Sequence, residues 1–164
     1  MSYKPLTKQQ ANEMARPPLI VDGQYQCELM EYHHTDKYNN VLKDKNNQDM
    51  TRIKLKIWDH EGRERFIFTN LFWGENNKMS YRTRHFAESF GMSELYDSGK
   101  MYDNFRECLN TCGHCEIYTQ NARDKNDGSG EMWPAKNDIR DFTVRDTKTE
   151  TSKNNDQFND EIPF

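Results

Sequence analysis

A five-stranded Greek-key barrel, mainly β, with a helix between strands 3 and 4, is the architecture that this 164-residue sequence predicts. Three observations predict it. Short runs with a two-residue apolar period recur along the chain. One central run switches to helical spacing. Polar segments rich in Gly, Asn and Asp separate the runs, which is turn chemistry.

Residues 1–18 read as a flexible arm ending at Pro17 and Pro18. Leu19, Ile20 and Val21 lead through the turn signal Asp22-Gly23 into a first strand over 24–33. There Tyr25, Cys27 and Leu29 alternate with Gln24, Gln26 and Glu28. Residues 35–49 are polar and turn-rich and read as a long loop. Two β runs, 51–58 and 64–72, meet across Asp59, His60, Glu61 and Gly62, which predicts a hairpin. Over 77–90, Met79, Thr83, Phe86, Ala87 and Phe90 share one helical stripe, and Gly91 supplies the stop. Residues 93–96 and 102–109 read as short helical turns around Ser98 and Gly99. Strands over 114–120 and 137–144 flank a loop at 121–130. Three strands, a helical insert and two more strands are the plan of an OB-fold, whose strands 2 and 3 make a binding face. The domain is expected over 19–146. Residues 147–164 form a polar tail that cannot bury enough surface to fold.

Composition narrows the function. Hydrophobic residues are 34% and charged residues 30%, as suits a small domain with polar segments. No apolar run reaches membrane-span length and the N-terminal stretch lacks a signal-peptide core, so a cytoplasmic protein with reduced cysteines is expected. The net charge is −4, of which the tail from Thr147 contributes −2. Binding nucleic acid would therefore require cations gathered on one face.

The run 51–58 offers such a face. Ile53, Leu55 and Ile57 point one way; Arg52, Lys54, Lys56 and Trp58 point the other. Cations that follow a phosphate backbone, beside an aromatic on which bases stack, are what a single-strand binder needs. The bland reading is a solvated face whose lysines discourage edge pairing. On the next strand, Ile67 and Leu71 in the core would leave Phe66 and Phe68 beside Trp58; the opposite register buries both rings. Two loops could flank the groove, one with Lys37, Tyr38 and Lys43, the other with Arg123 and Trp133. Asp36, Asp44, Asp124 and Asp127 partly cancel their charge. Lys78, Tyr81, Arg82, Arg84 and His85 form a further basic group, spread over more than one helix face.

Cys108, Cys112, His114 and Cys115 raise a zinc hypothesis. A strand from Gly113 onward would place His114 and Cys115 on opposite sides of the sheet, so core or incidental cysteines are expected, with no metal and no cofactor. The Cys spacing also resembles that of radical S-adenosylmethionine enzymes, whose partial barrel this chain is too short to hold. No phosphate-binding Gly loop, nucleophile elbow or His-Glu-x-x-His helix is present. Asp22, Glu28, Glu31 and Asp59 are the residues a Mg²⁺-dependent nuclease could use, but acids scattered through strands and turns read as solvated. No enzymatic activity is expected.

The end of the sequence carries a different signal. Asp160 and Glu161 precede Ile162, Pro163 and Phe164. Pro163 fixes its own backbone angle and biases Ile162 toward an extended form, so an apolar hook with acidic flanks suits a basic pocket. These residues resemble the C-terminal tip of bacterial single-stranded DNA-binding proteins (SSBs), and the overall plan resembles phage-encoded SSB-like replication and recombination proteins. The resemblance implies a role in single-stranded DNA metabolism, with the tip docking onto replication, recombination and repair enzymes. A module that mimics the tip and captures those enzymes without holding DNA is the main rival.

Overall fold

The alternating runs become strands because each offers one apolar edge to a shared interior. The computed structural model describes residues 2–144. Its strands are β1 (Gly23–His33), β2 (Met50–Trp58), β3 (Glu64–Phe72), β4 (Cys112–Gln120), β5 (Arg123–Asp124), β6 (Met132–Trp133) and β7 (Lys136–Thr143). Five of them form one antiparallel sheet in the order β3-β2-β1-β4-β7, while β5 and β6 pair with each other. The helices are α1 (Lys8–Ala15), α2 (Tyr81–Ser89) and α3 (Ser93–Asp97). Both α2 and α3 lie between β3 and β4, as the sequence predicts.

Core residues fall at every second position on β1 to β4, while on β7 a bulge near Arg140 spaces them three apart. Tyr25, Cys27 and Leu29 come from β1, Ile53, Leu55 and Ile57 from β2, and Ile67 and Leu71 from β3. Cys115, Ile117, Ile139 and Phe142 continue the layer on β4 and β7. The α2 stripe lies over them: Phe86 stacks on Phe90 at 4.2 Å and meets Phe142 edge-on at 5.2 Å. Gly113 permits this approach, because a Cβ there would lie 2.6 Å from the Phe90 ring. Beside it, Ser89 donates to the His114 carbonyl and accepts from the His114 N–H, at 3.1 and 2.8 Å.

The two end strands of the sheet share one side chain. Arg82 donates to the Ile139 carbonyl of β7 at 2.7 Å and to the Asn70 carbonyl of β3 at 3.0 Å. It is 6% exposed. Burial lowers its pKa from the ordinary arginine value, with Asp138 acting in the opposite sense.

Several local features depart from the sequence reading. The arm contains α1, begun by a capping box in which Thr7 and Gln10 satisfy each other's backbone N–H. None of the α1 residues is buried. Strand β4 starts at Cys112, two residues before the expected 114. The helix begins with a 3₁₀ turn, Lys78–Ser80, capped by the Asn77 side chain. The 121–130 loop is framed by the small β5–β6 hairpin. The 35–49 segment folds into two turns, in which Asp36 accepts from the N–H groups of Tyr38 and Asn40, and Asp44 from those of Asn46 and Gln48. Asn39 and Asn47 take the positive φ that each turn requires. Among the described residues, no helix is long and apolar enough to cross a membrane.

Candidate nucleic-acid interface

The β2–β3 pairing sets the face. Lys54 lies opposite Phe68, Lys56 opposite Phe66, and Trp58 opposite Glu64. With Ile67 and Leu71 inside, Phe66 and Phe68 stand 49% and 58% exposed, on the same side as Arg52, Lys54, Lys56 and Trp58. This decides between the two registers that the sequence left open. The lysine ammoniums lie over the rings: Lys54 is 4.7 Å from the Phe66 centroid and 5.8 Å from Phe68, and Lys56 is 5.1 Å from Trp58.

The third strand of this face changes its electrostatics. On β1, Glu31 lies opposite Lys54 and Glu28 opposite Lys56. The resulting pairs measure 3.2 and 3.6 Å, and Glu64 approaches Lys56 at 3.9 Å. Lys54, hydrogen-bonded to Glu31, holds that carboxyl below its usual pKa. Arg52 differs. It is exposed, lies opposite His33, and has no carboxylate within salt-bridge distance among the described residues.

Arg52 also joins two cavities. One, of about 610 Å³, is lined by His33, Lys37, Tyr38 and Leu42 around the first turn of the 35–49 segment. The other, of about 710 Å³, lies beside the sheet ends and is lined by Arg16, Arg65, Phe66, Phe68 and Lys136. Neither lining includes Lys54, Lys56 or Trp58.

The remaining predicted residues fall in distinct places. Lys37 and Tyr38 are exposed together, the ammonium 5.1 Å from the ring centroid. Lys43 is tied to Asp49 at 2.7 Å, which raises its pKa. Arg123 pairs across the small hairpin with Trp133, over which Lys125 sits at 4.7 Å while bound to Glu131 at 3.2 Å. Three of the five residues of the helix basic group are engaged within the fold, while Lys78 and Tyr81 stay exposed: Arg82 is internal, Arg84 meets Glu88 and Asp97 at 3.3 and 3.0 Å, and His85 meets Asp141 at 2.9 Å. Asp160, Glu161, Ile162, Pro163 and Phe164 lie outside the described residues.

The cysteines are thiols with two kinds of surroundings. Cys115 points into the core and Cys112 to the surface. Cys27 lies beside Cys115, whose hydrogen bond, together with burial, raises its pKa strongly. Burial pushes Cys108 up to about 12, helped by Glu107. Among the described residues, no three His, Cys, Asp or Glu side chains gather as a metal-holding group.

Sequence reasoning missed Arg16 and Lys136, because their place beside Phe66 and Phe68 depends on how distant segments meet. No protein-family model matches this chain, and neither does any curated protein.

Proposed function

We propose that this protein coats single-stranded DNA with little sequence preference, without catalysis, in the cytoplasm. In this reading the sheet curls into a small OB-type barrel with its two end strands held together at Arg82. Support for the curl comes from one guanidinium bonding carbonyls on both end strands, 57 and 12 residues away in sequence. The observation that carries the binding function is the pair of exposed rings, Phe66 and Phe68, under the Lys54 ammonium and on the same face as an Arg52 that no described carboxylate neutralises. Rings exposed on a sheet face cost solvation, and stacking bases would recover it. Residues 160–164 recruit replication, recombination and repair enzymes, on the strength of their likeness to the SSB tip.

A second reading has its own support. Glu28 and Glu31 neutralise two of the three cations on the expected face, which suits a tip-mimic that captures the enzymes without holding DNA. Titrating labelled single- and double-stranded oligonucleotides at two salt concentrations separates the two. The coating protein prefers the single strand and weakens as salt rises. Absence of oligonucleotide binding, with SSB-binding enzymes still captured from lysate through residues 162–164, would establish the mimic instead.

A further inference from the structure

The groove beside the sheet ends is partly built by the segment that precedes β1. Arg16, Pro17, Pro18 and Leu19 form one wall; β3 and the start of β7 form the other. The segment is held at defined points. Arg65 donates to the Pro18 carbonyl. Asn137 grips both polar groups of Ile20, its Oδ1 accepting the N–H at 2.8 Å and its Nδ2 donating to the carbonyl at 2.9 Å. Ile20 itself is buried in the core. The wall is therefore fixed to the domain, although the residues ahead of it form an exposed helix.

The geometry points to a second single-strand subsite here, in which the backbone leaves the Phe66 and Phe68 rings and runs between the 16–19 segment and Lys136. Arg16, Arg52 and Lys136 contact phosphates, and Arg65 and Asn137 position the wall. This inference rests on the single-strand reading above and extends it off the strand face.

Charge and continuity select the occupant. Five cations line the groove against one lining carboxylate, Asp138, and one of the five, Arg65, is paired with Asp59 at 3.6 Å. Arg16, Arg52 and Lys136 are exposed and have no carboxylate within salt-bridge distance among the described residues. At the floor, Arg82 bonds only carbonyl oxygens among the described residues, so no contacting anion there cancels its charge, and its Nε has no acceptor among them. Such a field attracts phosphates. The two rings and Arg52 belong both to the groove and to the β2–β3 face, so bases on the rings place the next phosphates at the groove mouth.

The test compares the full chain with an R16A/K136A variant, both substitutions at exposed positions. Fluorescently labelled oligothymidylates from about 4 to about 16 nucleotides are titrated, a range matching single OB-fold footprints. The parent protein should gain affinity with length beyond the point at which the variant levels off. The variant's salt slope should be shallower by about 0.7 for each phosphate it no longer engages. Identical affinities and slopes at every length, with the parent binding well, would overturn the subsite and leave the single-strand reading intact. A parent that binds no oligonucleotide overturns both. A variant that binds all oligonucleotides normally but loses an acidic peptide of residues 156–164 makes the groove a peptide site, which also overturns the proposal.

Discussion

Arg52 and Lys54 stand two residues apart on the same face of β2, yet their electrostatic circumstances are opposite. Lys54 is met across the sheet by Glu31, and Lys56 by Glu28, while Arg52 is met by His33. The Lys54–Lys56 end of the β2 face is thus a ladder of neutralised pairs. Its Arg52 end, with Arg16 and Lys136 in the sheet-end groove, has no such partners among the described residues. Residue type alone does not make a cationic surface; the cross-strand neighbour decides whether the charge is left for a ligand. The paired lysines also sit over aromatic rings, Lys54 over Phe66 and Phe68 and Lys56 over Trp58.

The largest effect is expected where the groove and the fold depend on one residue. Arg82→Met would strip hydrogen bonds from two carbonyls, one on each end strand. Leaving a buried acceptor unsatisfied costs roughly 1–3 kcal/mol, so urea denaturation should show a loss of about 3 kcal/mol. Unchanged stability would mean that the sheet ends do not rely on this guanidinium. A variant that stays folded should lose affinity for long oligonucleotides before short ones, because the groove loses its floor.

Aromatic truncation comes next and compares the two ends directly. Phe66→Ala and Phe68→Ala should each cost about 1–3 kcal/mol of oligonucleotide affinity, the usual range for one stacked base. Trp58→Ala should cost less, since Trp58 lines neither cavity and carries Lys56 over its ring. A larger loss at Trp58 than at either Phe would shift the binding track to the other end of β2.

These residues show what could be read from sequence. Period-two alternation placed Arg52, Lys54, Lys56 and Trp58 on one face, but it left open which way Phe66 and Phe68 point, because a one-residue slip exchanges the answers; the β2–β3 pairing decides it. Helical spacing located Phe86, Ala87 and Phe90. The neutralising role of Glu28 and Glu31 was hidden, because it depends on how β1 pairs with β2 past a bulge near Met30 and a 16-residue connection. The Asn137 grip on Ile20 spans 117 positions and leaves no local trace. Helix α1 did leave one: Thr7 followed three residues later by Gln10 is a capping-box spacing.

The charge ladder itself can be tested by removing its acidic half. E28Q/E31Q should raise single-strand affinity several-fold and steepen its salt dependence, because Lys54 and Lys56 become available to phosphates. K54A/K56A should weaken binding less than Arg52→Ala does. If the two lysines matter more than Arg52, the ligand displaces the glutamates, and the contrast between the two ends of the face fails.

The smallest effect concerns the cavity at the other end of Arg52, through His34 at the root of the 35–49 segment. Trp73 Nε1 donates to the Thr51 hydroxyl at 2.9 Å. That hydroxyl can donate in turn to His34 Nδ1, also at 2.9 Å, leaving Nε2–H to donate to the Tyr102 carbonyl at 2.9 Å. The Tyr102 ring stacks on the imidazole at 4.0 Å. This chain is complete with a neutral imidazole, and a second ring proton would remove the acceptor from Thr51. Burial lowers the His34 pKa from its ordinary 6.5, opposed by the Tyr102 carbonyl, Asp49 and Asp103. The unfolded chain therefore takes up the proton first as pH falls. The stability that His34 contributes is fully present above about 6.5 and is lost as pH drops through the lower folded-state value. Denaturation at pH 7 and pH 5 should show a loss in the parent that is reduced in His34→Gln, the other histidines being common to both. Because Lys37 and Tyr38 ride on this segment, acidification should also loosen oligonucleotide contacts there before it affects the groove at Arg16 and Lys136. An equal pH dependence in both proteins would show that His34 titrates alike folded and unfolded, and that the two ends of the track do not differ in this respect.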